Sequence, residues 1–261
     1  MCFVAAALGV HPEFPLIVAA NRDEYFVRPT QSLTRWPGSP AIVAGRDLTG
    51  GGTWLGLSED GRFAALTNCR TETVSSKPGA LSRGAIVRDF LLGRRHVVDA
   101  VANGTLAKQS GYGGFNLIAG TVNQISILSN ATETFSQATA GCFVLSNIPP
   151  QDEWPKIRVG RVRFSETIAL AADFEALKNR LFSLLADPQP VQGSTGSSKG
   201  ESLSEMVGKV IFVSGADYGT RASSVILVNR EKQAHFFERT FDNKGCCDGE
   251  SAVRLGLISR N

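Results

Sequence analysis

Two short apolar runs, residues 2–9 and 16–20, open the chain on either side of His11-Pro12 and predict two core strands joined as a hairpin. Residues 51–57 and 62–67 repeat the arrangement around Ser58-Glu59-Asp60-Gly61, where the Asp-Gly step favours a tight turn. From Ser82 the apolar positions change period. Ile86, Val87, Phe90 and Leu91 fall on one helical face, and a second helix is predicted over residues 96–107. Strand chemistry returns at 115–119, 124–128 and 142–145, with Asn123 at a turn. Helices are then expected over 153–172 and 174–185, the latter with Leu177, Leu181, Leu184 and Leu185 at three- and four-residue spacing. Residues 210–214, 223–229 and 234–241 read as the last strands, and Arg230-Glu231-Lys232 turns the final pair into a hairpin.

The order strands, helices, strands, helices, strands is satisfied by an α+β, four-layer αββα sandwich, in which two stacked antiparallel sheets are flanked by helices. Residues 1–261 are expected to form one domain. Residues 188–200 combine Pro, Gly and Ser with almost no apolar content and are expected to be a flexible surface loop rather than a linker.

Composition narrows the functional classes. Hydrophobic residues at 43% and charged residues at 20% describe a soluble globular chain. The net charge of +3 is small, and Lys and Arg are interspersed with Asp and Glu, so no nucleic acid is expected as a partner. No Lys or Arg precedes the first apolar run, and His11, Pro12 and Glu13 interrupt it, so neither a secretion signal nor an integral membrane segment is expected. Five cysteines, two of them adjacent, fit a reducing, cytoplasmic location. The three histidines lie far apart, and neither CxxC nor HExxH occurs, so no metal or cofactor site is expected. Gly50-Gly51-Gly52-Thr53-Trp54 lacks the Lys and the strand-to-helix context of a phosphate loop and reads as a turn entering a strand.

The candidate chemistry starts at Cys2. Excision of Met1 would leave a thiol and a free α-amine on one residue, a nucleophile with its own base, because an α-amine has an ordinary pKa of about 7.7–8.0. Asn21-Arg22-Asp23-Glu24 places a polar run at the end of the second strand, near the Cys2 end of the sheet. There Arg22 would favour a thiolate and Asp23 would orient the α-amine.

These residues belong to a longer ordered set: MCFVAAAL at the start, Asn21–Glu24 as NRDE, Arg28-Pro29, Trp36, Gly45-Arg46-Asp47, GGTWLG at 51–56 and Thr67-Asn68-Cys69-Arg70. Ser82-Arg83-Gly84, YGGFNL at 112–117, Leu145-Ser146-Asn147 with Trp154-Pro155-Lys156, and Tyr218-Gly219-Thr220-Arg221 continue it. The set spans nearly the whole chain and resembles the NRDE-motif family, the family named for transport and Golgi organization protein 2. Cys69 departs from that pattern, which has Phe there. More distantly, the plan is similar to the cysteine N-terminal-nucleophile hydrolases that include penicillin V acylase and bile salt hydrolase.

The second resemblance implies the αββα fold and a site made of Cys2, Arg22, Asp23, Asn68, Asn147 and Arg221. Asn68 and Asn147 would donate to an oxyanion, and Arg221 would bridge the site or hold a substrate anion. The acylases separate their Arg and Asp, whereas Arg22 and Asp23 are adjacent here. On one continuous strand the two would face opposite sides, unless a turn or bulge follows Ala20. The implied function is hydrolysis of a small-molecule acyl amide or thioester, related to lipid or acyl-CoA metabolism, without a cofactor. The alternative is a non-catalytic carrier or chaperone that binds haem or an acyl lipid as cargo, with Cys2 as an axial thiolate.

Overall fold

The apolar run at the amino terminus forms β1 (Cys2–Leu8), which pairs antiparallel with β2 (Leu16–Tyr25) on one side and with β10 (Gly141–Leu145) on the other. This computed structural model describes residues 2–69, 81–109, 111–152, 154–191 and 208–258. The first sheet runs β10-β1-β2-β11-β12-β13, with β11 (Tyr218–Val228), β12 (Gln233–Phe241) and β13 (Cys247–Gly256). The second runs in chain order: β3 (Thr30–Trp36), β4 (Ile42–Asp47), β5 (Leu55–Ser58), β6 (Phe63–Asn68), β7 (Phe115–Gly120), β8 (Ile125–Ser129) and β9 (Thr134–Ala138). All pairings between these strands are antiparallel.

Strand alternation sorts the side chains into three apolar layers. Val4, Ala6, Leu8, Val18 and Ile226 of the first sheet meet Val43, Leu57, Phe63 and Ile118 of the second. The opposite face of the first sheet, carrying Phe3, Ala5, Ile17 and Val225, packs on α3 (Pro155–Ala169) and α4 (Phe174–Leu185). The outer face of the second sheet, with Ala64, Phe115 and Leu117, packs on α1 (Arg83–Leu91) and α2 (Arg95–Ala102). Helix, sheet, sheet, helix is the four-layer α+β order that the sequence predicts. The apolar positions read for the helices are the buried ones: Ile86, Val87, Phe90 and Leu91 on α1, and Leu177, Leu181, Leu184 and Leu185 on α4.

Several boundaries differ, each for a local reason. The helix expected over 96–107 stops at Ala102, because Gly104 takes φ +77° and Thr105–Lys108 continue only as a 3-10 turn. Residues 51–57 yield strand only from Leu55. The run 210–214 is not a strand, although its residues up to Val213 are buried: Phe212 donates its N–H to the Asp187 carbonyl, and Val213 exchanges bonds with Thr220. Strands β3, β9 and β13 carry exposed polar residues, and each lies at a sheet edge, so their apolar signal is weak. Of the expected loop at 188–200, residues 188–190 are exposed, and 192–200 lie outside the described residues.

The largest difference matters for the site. The second strand does not end at Ala20 but runs without a bulge through NRDE to Tyr25, in register with β1 from Cys2↔Arg22 to Leu8↔Leu16. The irregularity is on the neighbouring strand, between Thr220 and Ala222 of β11.

Candidate active site

Because β2 is continuous, Arg22 shares the inter-sheet side of its strand with Ala20 and Val18, and Asp23 takes the helix side with Asn21. Asp23 meets Cys2 through its backbone, whose N–H favours the ionised Cys2 sulfur. Its carboxylate, on the other face, accepts from the Thr220 hydroxyl at 2.7 Å. Cys2, half-buried, opens on a cavity of about 380 Å³ that Arg22, Asp23, Glu24 and Asn68 also line. Burial pushes the thiol up from its ordinary value. The Asp23 carboxylate adds to this, while the Asp23 amide and the Arg22 charge oppose it.

Arg22 is 5% exposed, and its guanidinium lies 4.2 Å from the Trp54 ring centroid and donates to the Thr30 hydroxyl at 2.8 Å. Two glycines make that arrangement possible. A Cβ at Gly45 would stand 2.5 Å from the Trp54 ring, and one at Gly52 would stand 2.2 Å from the Gly84 carbonyl carbon. The loop before β5 can therefore lie against the first turn of α1, where Thr53 N–H meets the Gly84 carbonyl at 3.2 Å. At the mouth, Arg28 pairs with Asp47 at 2.8 Å, and Asp47 also accepts from the amides of Thr49 and Gly50.

Asn147 touches Cys2 from behind. Its Oδ1 accepts from the Cys2 nitrogen at 2.5 Å, and its Nδ2 donates to the Asn68 carbonyl at 2.6 Å, tying the ends of β1, β6 and β10 together. Of the two asparagines, only Asn68 lines the cavity. Arg221 lines a neighbouring cavity with Arg22, Trp54 and Glu238, and it donates to the Arg28 carbonyl. It thereby braces the turn after β2, whose Arg28 reaches the cavity mouth.

Three residues that sequence reasoning left aside complete the frame. Asn116 is buried between the sheets, and its Nδ2 donates to the carbonyls of Ser146 (2.8 Å) and Ile148 (2.7 Å), on either side of Asn147. Thr67 donates to the Ser146 carbonyl, and the Ser146 hydroxyl donates to the Cys2 carbonyl at 2.9 Å. The available signal was a polar residue interrupting an apolar strand: Asn116 alone in FNLIAG, and Thr67 beside Asn68 at the end of FAALTN. Cys69 is 1% exposed, and burial pushes its thiol up to about 11, so it behaves as a small buried hydrophobe. Arg70, the last residue of that motif, lies outside the described residues.

Behind Arg22, Glu238 is 2% exposed and accepts from the Leu33 amide at 2.6 Å, and burial raises its carboxyl from 4.5 to about 7. The folded state therefore keeps a proton that the unfolded chain has lost, and stability falls as pH rises from about 4.5 to about 7. Glu238→Gln should remove this dependence. Urea denaturation should find the variant more stable than wild type by about 3 kcal/mol at pH 8, with the difference closing below about pH 4.5.

A family profile described as Transport and Golgi organisation 2 matches residues 1–243. The Bos taurus homolog of transport and Golgi organization protein 2 is 31% identical over 262 residues, covering 92% of this chain and 93% of that one. The Drosophila melanogaster protein of that name is 30% identical over 264 residues, with 92% of each chain covered. Among solved structures, a mutant of the conjugated bile acid hydrolase from Clostridium perfringens superposes with a TM-score of 0.55 at 11% identity, covering 97% of this chain and 92% of that one. That likeness concerns the fold: it is the N-terminal-nucleophile hydrolase architecture.

Proposed function

The chain belongs to the transport and Golgi organisation 2 family, and from the site its fold assembles we propose that it is an N-terminal cysteine hydrolase of an acyl amide or thioester, active once Met1 is removed. The observation that carries this reading is the setting of Cys2, whose nitrogen is held by Asn147 and whose side chain lies with Arg22 and Asn68 in the wall of the cavity.

Removal of Met1 turns the Cys2 nitrogen into an amine that takes the thiol proton near neutral pH. The thiolate adds to the acyl carbon, forming a C–S bond and an oxyanion that accepts a hydrogen bond from the Asn68 side-chain amide. Collapse breaks the bond to the leaving nitrogen or sulfur, which departs with the proton from the α-ammonium. Water then attacks the thioester as the amine accepts its proton. The acid leaves, and that proton returns to the Cys2 sulfur.

Arg22, Arg28, Glu24 and Asp47 make the cavity wall strongly polar, with Trp54, Leu66 and Leu81 as its apolar members. This lining suits a small polar acyl compound better than a flat apolar cargo such as haem. Intact mass and N-terminal sequencing should find a mature chain beginning at Cys2, and that chain should turn over a member of a panel of N-acyl amides and acyl-CoA thioesters. Met1 retained in most molecules, or an inert panel together with tight haem binding, would move the function to a carrier.

A further inference from the structure

Lys156 breaks two local rules at once. It sits at the second position of α3, after Trp154 and Pro155, where a cation opposes the helix dipole. It is also completely buried, at 0% exposure, and among the described residues its Nζ has no hydrogen-bond partner. A buried ammonium costs several kcal/mol unless an opposite charge offsets it. Such a violation of local preference is expected where function requires it.

The charge that offsets it is on the neighbouring strands. The Asp23 carboxylate, 2% exposed, points to the helix side of the first sheet, the side on which α3 packs against β1 and β10. Lys156 and Asp23 thus occupy one layer, with Cys2 at the adjoining strand end, and the Trp154 ring lies 5.8 Å from Nζ. We propose that Lys156 is a positioning residue whose buried ammonium is the counter-charge, through space, of the Asp23 carboxylate and the Cys2 sulfur. The electrostatics agree: burial lowers the lysine, while Asp23 and Cys2 raise it, and Lys156 in turn favours ionised Asp23. The other ionisable groups of α4 and β10, which pack on α3 beside β1, are at least partly exposed: Glu175, Lys178, Arg180 and Cys142. Asp23 is therefore the charged group that faces Lys156 from a buried position, where charges act strongly, and the half-buried Cys2 adjoins the pair at the end of β1.

What that charge is for rests on the hydrolase reading, so the test needs no substrate. In protein that begins at Cys2, the rate of Cys2 alkylation by iodoacetamide can be followed against pH, with peptide mass spectrometry resolving it from the other cysteines. In Lys156→Met the profile should move to higher pH, lowering alkylation at pH 7 roughly tenfold for a shift of about one unit, while Cys142 alkylation stays as it was. An unmoved Cys2 profile in a folded variant overturns the proposal. If the variant fails to fold, wild type with carbon-13-labelled lysine supplies the second measurement. One buried lysine resonance should respond to alkylation of Cys2 while that of Lys178 does not, and a spectrum in which no lysine responds overturns the proposal. A shifted profile in a protein that hydrolyses no acyl compound would leave Lys156 assigned and the hydrolase reading rejected.

Discussion

Cys2→Ser should fold as wild type does and lose turnover by about a thousandfold or more. The exchange replaces sulfur with oxygen on a half-buried side chain at the first position of β1, so packing changes little. Reactivity changes greatly, because a thiol is partly ionised and strongly nucleophilic near neutral pH, whereas a hydroxyl depends almost wholly on its base. Arg22 and the Asp23 amide, which favour the thiolate, have no comparable anion to act on in the serine variant. Cys69→Ala is the matched control: that thiol is buried and held near 11, and its loss should leave kcat/KM within about twofold. The paired measurement is kcat/KM with thermal melting. A serine variant that kept a tenth of wild-type activity would remove Cys2 from the role of nucleophile.

Asn116→Leu should cost about 2–3 kcal/mol of stability, because leucine fills the volume but leaves the Ile148 carbonyl without its Asn116 donor. The Ser146 carbonyl keeps its bond from Thr67, which limits the loss. Activity should fall further than stability predicts. Asn116 grips the chain on both sides of Asn147, and Asn147 holds the Cys2 nitrogen. A displacement of this clamp by about 1 Å would lower turnover by on the order of a hundredfold. Denaturation curves and kcat on the same samples separate the two effects. A variant as stable as wild type would show that the asparagine bonds between the sheets do not hold this segment.

The layered fold was legible because four helices and most central strands carry their period in the sequence, as in the apolar face of α1 and the leucines of α4. The edge strands β3, β9 and β13 were not, since many of their residues meet water and a strand such as TFSQA looks like any polar loop. At the site, the run from Asn21 to Glu24 was visible as polar residues beside an apolar strand. Its continuation of β2 was not, because strand propensity yields here to pairing with β1 and β11. That pairing decides the geometry: it separates Arg22 from Asp23 by a sheet face and sends the Asp23 carboxylate toward Lys156. Thr67 and Asn116 were hidden for another reason. A single polar residue inside an apolar strand reveals its role only through what lies opposite, and here that is a segment some 30–79 positions away.

The span between Cys2 and its partners also orders events during synthesis. The residue that holds its nitrogen is 145 positions downstream, and Thr220, which engages Asp23, is 197 positions beyond that aspartate. At translation rates of about 5–20 residues per second, Asn147 is made roughly 7–30 s after the amino terminus, and β11 later still. Through that interval β1 has only β2 to pair with, and two strands alone are marginally stable. The surroundings of Cys2 are thus assembled late, only after β10 and β11 have been made.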